Sequence, residues 1–133
     1  MKIGVCCSAF DLLHPGHLLY LKDARQRCDY LISMLQADPT IDRPEKQKPL
    51  ETLEERMIRL ESCKYVDEIR VYSTEADLQK QLYLLNPDVI IMGSDWKGRE
   101  NPIKRLAKEV YYHDRSKHSY SSTSLRKRIY ENY

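Results

Sequence analysis

The chain lacks any long hydrophobic run. None of its apolar segments approaches the roughly 18 residues that a membrane-spanning helix needs, and charged residues make up 32% of its 133 residues. Met1 and Lys2 are followed at once by an apolar segment, so no secretion signal is recognisable. We therefore expect a soluble protein without a membrane partner.

The sequence also lacks a charge excess of either sign. Its formal net charge is only +2, whereas a nucleic-acid-binding domain usually carries a strongly basic surface. We therefore expect no nucleic-acid partner. The basic residues of interest are local: Arg43, Lys46 and Lys48 lie in one predicted loop, and others lie in the stretch 115–128.

The four cysteines show no pair with the spacing of zinc ligands. Cys6 and Cys7 are adjacent, so in a strand their side chains point to opposite faces. Reduced thiols in a cytoplasmic protein are the plain interpretation.

Strand and helix patterns alternate along the whole chain, with no internal repeat. The predicted strands are 2–7, 30–35, 68–72, 88–92 and 109–112, and the predicted helices are 16–27, 53–63, 75–85, 102–107 and 122–130. Such alternation indicates the α/β class, with a five-stranded parallel sheet covered by helices on both faces. The length predicts a single domain over residues 1–133.

The segment His14-Pro15-Gly16-His17 is the most informative motif. It lies between a predicted buried strand and the start of a predicted helix. The first turn of a helix offers unpaired N–H groups and a partial positive charge, which together form an anion site. Pro15 suits that first turn, and Gly16 would let a ligand approach the backbone closely.

The two histidines have three interpretations. As residues three apart on a helix, His14 and His17 could bind a metal, but the sequence offers no third ligand at a suitable distance. They could also be ordinary buried histidines. Phosphate contacts are favoured, because the imidazoles add donors to the helix N-terminus. Asp11 could support the turn or hold a metal ion.

Four distinctive segments follow predicted strands. They are 8–17, 38–48, 93–98 and 115–126, and ligands of open α/β sheets bind beyond the carboxyl ends of the strands. All four segments are therefore expected to face one crevice. The last contains Ser121, Ser122, Thr123 and Ser124, more hydroxyls than a helix cap needs, followed by Arg126. We interpret it as a second anion site, and two anion sites suggest a polyphosphate ligand.

Other candidates have competing interpretations. Lys46 and Lys48 could solubilise their loop or contact phosphate. Arg56 belongs to an amphipathic helix, where a surface ion pair is favoured. Trp96, the only tryptophan, could pack on a base or close the end of the sheet.

Several motifs resemble one known family. Residues 10–17 (FDLLHPGH) are similar to the GTFDLLHxGH signature of the cytidylyltransferase-like nucleotidyltransferases. Residues 64–69 (KYVDEI) resemble that family's RYVDEV, residues 92–98 (MGSDWKG) its MGDDWxG, and residues 121–123 (SST) the end of its RTxGISTT. The matches run in order across nearly the whole chain, and members that act on glycerol 3-phosphate are the most similar.

The resemblance implies a Rossmann-like five-stranded parallel sheet and a homodimer. It implies transfer of CMP from CTP to a small phosphorylated alcohol, and glycerol 3-phosphate is the first candidate for that acceptor. The reaction would require Mg²⁺ and release pyrophosphate. The matching motifs imply that the catalytic residues are His14, His17, Lys46, Lys48 and Arg126. They also imply that Asp11 is a metal ligand. The residues that the resemblance implies for nucleotide binding are Ser8, Ala9, Phe10, Asp11, Gly16, Arg56, Lys64, Gly93, Asp95, Trp96, Arg115, Ser121, Ser122 and Thr123.

Two other functions compete with this one. An adenylyltransferase that uses ATP, as FAD synthetase-like members do, shares the fold and the HxGH motif. A non-catalytic nucleotide-binding module is suggested by Ser8 and Ala9, which stand where the family signature has Gly and Thr.

Overall fold

A computed structural model describes residues 1–132. The strands are β1 (Ile3–Ser8), β2 (Tyr30–Gln36), β3 (Glu68–Tyr72), β4 (Val89–Gly93) and β5 (Glu109–His113). The helices are α1 (Pro15–Gln26), α2 (Leu53–Glu61), α3 (Glu75–Leu85) and α4 (Ser122–Asn132), and short 3₁₀ segments cover Ser94–Trp96, Pro102–Arg105 and Arg115–Lys117.

The five strands form one parallel sheet in the order β3-β2-β1-β4-β5. A hydrophobic cluster covers each face: Cys6 belongs to the cluster with Leu21 of α1, and Val5 belongs to the cluster with Leu78 of α3. The α/β architecture with helices on both faces is therefore confirmed. The direction of strand addition reverses between β1 and β4, and such a reversal opens a crevice at the carboxyl ends of the strands.

Local sequence signals place the helix ends. The Thr52 hydroxyl accepts from the Glu55 amide while the Glu55 carboxylate accepts from the Thr52 amide, and these two bonds form a capping box at the start of α2. Thr74 caps α3, because its hydroxyl accepts from the Asp77 amide. Asn86 adopts a left-handed conformation that ends α3 just before Pro87.

Two predicted helices are shorter in the structure. α2 ends at Glu61 and is capped by Ser62, so Cys63 lies beyond it and is buried. The segment predicted as a helix over 102–107 is a 3₁₀ turn over Pro102–Arg105. A proline in the first turn fits an α-helix and a 3₁₀ helix alike. The helical spacing of the residues in so short a segment does not distinguish the two.

The prediction of a surface ion pair for Arg56 is wrong. Its side chain is buried, with 2% exposure, and its guanidinium donates to the carbonyl oxygens of Ala9 (2.9 Å), Gln36 (2.6 Å), Ala37 (2.6 Å) and Glu51 (3.2 Å). Arg56 therefore ties the loops after β1 and β2 to α2.

Among residues 1–132, no helix combines the length and the apolar character needed to cross a bilayer.

Candidate active site

A crevice of about 540 Å³ opens beyond the carboxyl ends of β1 and β4. The sequence predicted that four segments would meet at this edge of the sheet, and members of all four line the crevice. The predicted site residues found there are Ser8, Ala9, Phe10, Asp11, His14, Gly16, His17, Lys46, Gly93, Asp95, Trp96, Arg115, Ser121, Ser122, Thr123 and Arg126.

The two motif histidines are fixed by bonds to the backbone. His14 is the N-cap of α1, and its Nδ1 accepts from the Gly16 amide at 3.0 Å. His17 Nδ1 accepts from the His14 amide at 3.2 Å, and the two rings stack with centroids 3.9 Å apart. Because each Nδ1 accepts, each neutral ring carries its proton on Nε2. Both side chains therefore present an Nε2–H donor.

The surroundings keep both imidazoles neutral. Burial lowers the pKa of His17 to about 3, and the neighbouring His14 and Arg115 act in the same direction. Burial also lowers the pKa of His14, with Arg115 and His118 contributing. Near pH 7 the motif therefore offers neutral donors rather than cations.

The N-terminus of α4 meets the first histidine across the crevice. The Ser122 hydroxyl lies 3.1 Å from His14 Nε2. The neighbouring Ser121 caps the helix, because its hydroxyl accepts from the Ser124 amide at 3.0 Å. One hydroxyl therefore serves as the cap, and Ser122 and Thr123 remain on the crevice. The two predicted anion sites form one continuous surface.

Gly16 serves a different purpose from the predicted close approach of a ligand. A Cβ atom at this position would lie 2.8 Å from both the Cε1 atom of His14 and the carbonyl oxygen of Tyr120. The space beside Gly16 is therefore filled by the protein itself. The glycine allows the segment before α4 to pack directly on the histidine motif.

Asp11 supports the loop that crosses the crevice. Its carboxylate accepts from the amides of Leu50 (2.9 Å) and Glu51 (3.0 Å) and pairs with Arg126 at 2.6 Å. Burial raises its pKa, but these bonds outweigh burial and lower the pKa overall. Arg126 also donates to Gln47 at 2.6 Å, so it links α4 to the loop between β2 and α2.

These bonds do not fit a metal ion held by Asp11. A guanidinium is already paired with this carboxylate, and its positive charge would repel an ion bound there. No group of three or more His, Cys, Asp or Glu side chains within residues 1–132 could hold a metal ion.

A second pair lies at the rim near the ends of β4 and β5. Asp95 and Arg115 lie 3.4 Å apart and are half exposed. A Cβ on Gly93 would lie 2.5 Å from the Asp95 carboxylate and 2.9 Å from Arg115, so glycine makes room for the pair. Trp96 lines the crevice and also packs against the core near α3, as expected for a ring that closes the end of the sheet. Packing of this ring on a base stays a prediction.

Three predicted site residues do not line the crevice. Lys48 is 77% exposed, lies 4.0 Å from Asp38 and borders a smaller neighbouring cavity. Lys64 is exposed beside the ring of Tyr65. Arg56 lies beneath the loops, as described above.

The structure adds polar residues that the sequence did not single out. Asp23 of α1 bonds His113 at the end of β5 with a distance of 2.9 Å, and Tyr111 donates to the same carboxylate. His113 and His118 line the crevice. The only local signal was that His113 ends a strand at the ligand-binding edge of the sheet.

A parallel sheet of this order, with two imidazoles and a helix N-terminus around the crevice at its switch point, defines an α/β nucleotidyltransferase-like protein. The chain belongs to the cytidylyltransferase-like family, whose model matches residues 5–128.

The named relatives include FAD synthases and glycerol-3-phosphate cytidylyltransferases. A protein named FAD synthase from Methanocella arvoryzae is 34% identical, over 96% of this chain and 94% of its own. A glycerol-3-phosphate cytidylyltransferase from Bacillus subtilis is 32% identical, over 84% of this chain and 85% of its own. Among solved structures, a lipopolysaccharide core biosynthesis protein from Thermoplasma volcanium aligns with a TM-score of 0.71 and 25% identity, over 86% of this chain and 97% of its own.

Proposed function

We propose that this protein transfers a nucleoside monophosphate from a nucleoside triphosphate to a small phosphate-bearing acceptor and releases pyrophosphate. The observation that carries the proposal is the convergence of three groups on one crevice: the stacked neutral rings of His14 and His17, and the N-terminus of α4 at Ser122. Together they form a cradle of N–H and O–H donors shaped for a chain of phosphates.

The proposed reaction needs no general base. A phosphate monoester is largely dianionic at neutral pH, because its second pKa is about 6. One of its oxygens forms a bond to the α-phosphorus of the nucleotide. The bond from that phosphorus to the oxygen shared with the β-phosphate breaks, and pyrophosphate leaves. The protein must align two anions and stabilise the charge that moves onto the leaving group.

The observed donors suit that task. The Nε2–H groups of His14 and His17 can donate to phosphate oxygens without giving up their protons. Ser122 and Thr123 at the start of α4 are placed to hold the leaving pyrophosphate. Arg43 and Lys46 line the crevice on the loop after β2, where they can attract and orient the anionic acceptor.

CTP with glycerol 3-phosphate is our first candidate for the substrate pair. It is supported by the resemblance of residues 92–98 (MGSDWKG) to the family motif and by the Bacillus subtilis relative. ATP with a flavin phosphate is the second candidate. It is favoured by the Methanocella arvoryzae relative, which is equally similar and covers more of the chain.

The deciding experiment measures pyrophosphate release in a two-by-two set of reactions. CTP and ATP are each combined, with Mg²⁺, with glycerol 3-phosphate and with FMN. Release only with CTP and glycerol 3-phosphate supports the first candidate, and release only with ATP and FMN supports the second. Absence of release from every combination, while either nucleotide binds, would favour the non-catalytic module.

The proposal includes a homodimer, as implied by the family resemblance. The exposed apolar side chains Tyr83 and Leu84 on α3 offer one surface for it. Sedimentation equilibrium would show a mass of twice 15.8 kDa.

A further inference from the structure

A carboxylate–imidazole pair lies outside the phosphate cradle described above. It joins Asp23 of α1 to His113 at the end of β5, with 2.9 Å between Oδ2 and Nδ1. Asp23 also accepts from the Tyr111 hydroxyl and from Arg27. None of these four residues belongs to the motifs that carry the family resemblance.

The pair fixes the orientation and the tautomer of the His113 ring. Burial raises the pKa of Asp23, but hydrogen bonds from His113 and Tyr111 outweigh it and lower the pKa overall. Asp23 is therefore an ionised carboxylate at neutral pH and can only accept. When the ring is neutral, its proton therefore lies on Nδ1 and Nε2 carries a lone pair. This is the opposite arrangement from His14 and His17.

None of the residues that the structure describes donates to that lone pair. His113 is only 7% exposed, and across residues 1–132 its buried Nε2 finds no hydrogen-bond donor. An unsatisfied buried acceptor costs free energy and calls for a partner. Since the ring lines the crevice, a donor on a bound ligand is one group that can supply that partner.

The position of His113 indicates which part of a nucleotide it would meet. The phosphates have their donors at His14, His17 and α4, and the cationic Arg43 and Lys46 lie on the loop after β2. β5 is the edge strand on the opposite side of β1 from β2. The uncharged end of the nucleotide therefore belongs near β4 and β5.

The surroundings of His113 suit a flat, uncharged group. The Tyr20 ring lies 5.5 Å and the His118 ring 5.8 Å from the His113 ring, between centroids. The charged pair Asp95 and Arg115 lies farther out, half exposed at the rim. A planar base would fit the buried floor, whereas a sugar would remain closer to the rim.

We propose that His113, positioned by Asp23, is a specificity residue whose Nε2 accepts a hydrogen bond from the exocyclic amino group of the nucleobase. The inference rests on the proposed nucleotide substrate, but it does not depend on which base is used. Cytosine and adenine both carry such an amino group, and uracil and hypoxanthine carry a carbonyl oxygen in its place. A carbonyl would set two acceptors against each other in a buried site.

The test compares the binding of amino- and carbonyl-bearing nucleotides by calorimetry. Dissociation constants are measured for CTP against UTP and for ATP against ITP, with Mg²⁺ and without acceptor. We expect the wild-type protein to bind the amino member of its preferred pair about tenfold more tightly, or better. His113→Phe keeps a ring but removes Nε2, and should bring the ratio close to one.

Asp23→Asn is the decisive variant. An amide can donate to His113 Nδ1, which would move the ring proton to Nε2 and turn the acceptor into a donor. The preference should then shift toward UTP or ITP. Tyr111→Phe is the matched control, because it removes another bond to Asp23 and leaves the imidazole contact in place. Its ratio should equal that of the wild type.

The outcomes separate this inference from the proposed function. If nucleotides bind and both His113→Phe and Asp23→Asn keep the wild-type ratio while remaining folded, His113 only supports the fold and the inference is wrong. If the wild-type protein binds none of the four nucleotides, the proposed function itself fails, and His113 has no base to select.

Discussion

At the scale of single residues, each imidazole of the histidine motif uses one of its two ring nitrogens for a hydrogen bond within the protein. Each Nδ1 of His14 and His17 accepts a backbone amide in the first turn of α1. The same bonds that start the helix therefore determine which nitrogen is left for a ligand. A sequence motif can indicate the residue types, but the tautomer follows only from this local geometry.

Substitution of His17 should separate its two roles. We expect His17→Ala to lower turnover by roughly 10²-fold or more, because a donor to the transition state is lost. His17→Asn should be equally slow but more stable, since the Asn oxygen can replace Nδ1 as acceptor for the His14 amide. Initial rates of pyrophosphate release and thermal unfolding of both variants check this. A rate near that of the wild type would remove His17 from catalysis.

The low pKa of His17 predicts how stability depends on pH. The folded value is about 3, against 6.5 for an ordinary histidine. Between these values the unfolded chain binds more protons than the folded chain, so the free energy of unfolding falls as pH drops below about 6.5. Urea unfolding at pH 7 and pH 5 should show a smaller loss for His17→Asn than for the wild-type protein. Equal losses would mean that His17 titrates normally in the folded state.

At the scale of secondary-structure elements, most of the fold could be predicted from the sequence. Each strand was predicted to within one residue at both ends, because a short apolar run bounded by polar turns leaves little choice of where the strand begins and ends. The rule that ligands bind beyond strand ends then grouped the site segments correctly. The end of α2 and the 3₁₀ turn at Pro102–Arg105 were missed, since a few residues of helical spacing do not distinguish these cases.

Arg56 shows why side-chain roles on a helix are harder to predict. Arg56 and Arg59 both belong to α2 and look alike in the sequence. One is buried among four carbonyl oxygens and the other is 53% exposed beside Glu51. The carbonyl groups come from loops that are distant in sequence, so the periodicity of α2 contains no information about them.

The two arginines form a matched pair for measuring this difference. Arg56→Met should lower the free energy of unfolding by about 3 kcal/mol or more, because buried carbonyl groups lose their donors. Arg59→Met should cost less than about 1 kcal/mol, as expected for an exposed ion pair. Urea unfolding measures both. Similar losses for the two variants would contradict the anchoring role of Arg56.

At the scale of the whole molecule, the crevice is completed by contacts between distant parts of the chain. Asp11 and Arg126 are 115 positions apart, and Asp23 and His113 are 90 apart. Neither pair follows from a motif, because each depends on how α1 and α4 are placed against the sheet. The sequence could therefore locate the crevice but not the polar bonds that shape it.

α4 depends on such bonds more than any other helix. It contains no buried residue, so hydrophobic packing contributes little to holding it in place. Its polar attachments are Ser122 to His14, and Arg126 to Asp11 and Gln47. Since Asp11 in turn supports the loop at Leu50 and Glu51, Arg126 connects both walls of the crevice.

Removal of this connection should loosen α4 without unfolding the sheet. We expect Arg126→Ala to speed amide hydrogen exchange within α4 and to weaken nucleotide binding about tenfold or more, because the second phosphate-binding surface loses its position. Arg128→Ala is the control: it removes the same charge from an exposed position on the same helix. Hydrogen exchange by mass spectrometry should show unchanged protection of β1 and β4 in both variants. If Arg126→Ala and Arg128→Ala weaken binding equally, the helix acts only through its net charge, and the bond to Asp11 does not position it.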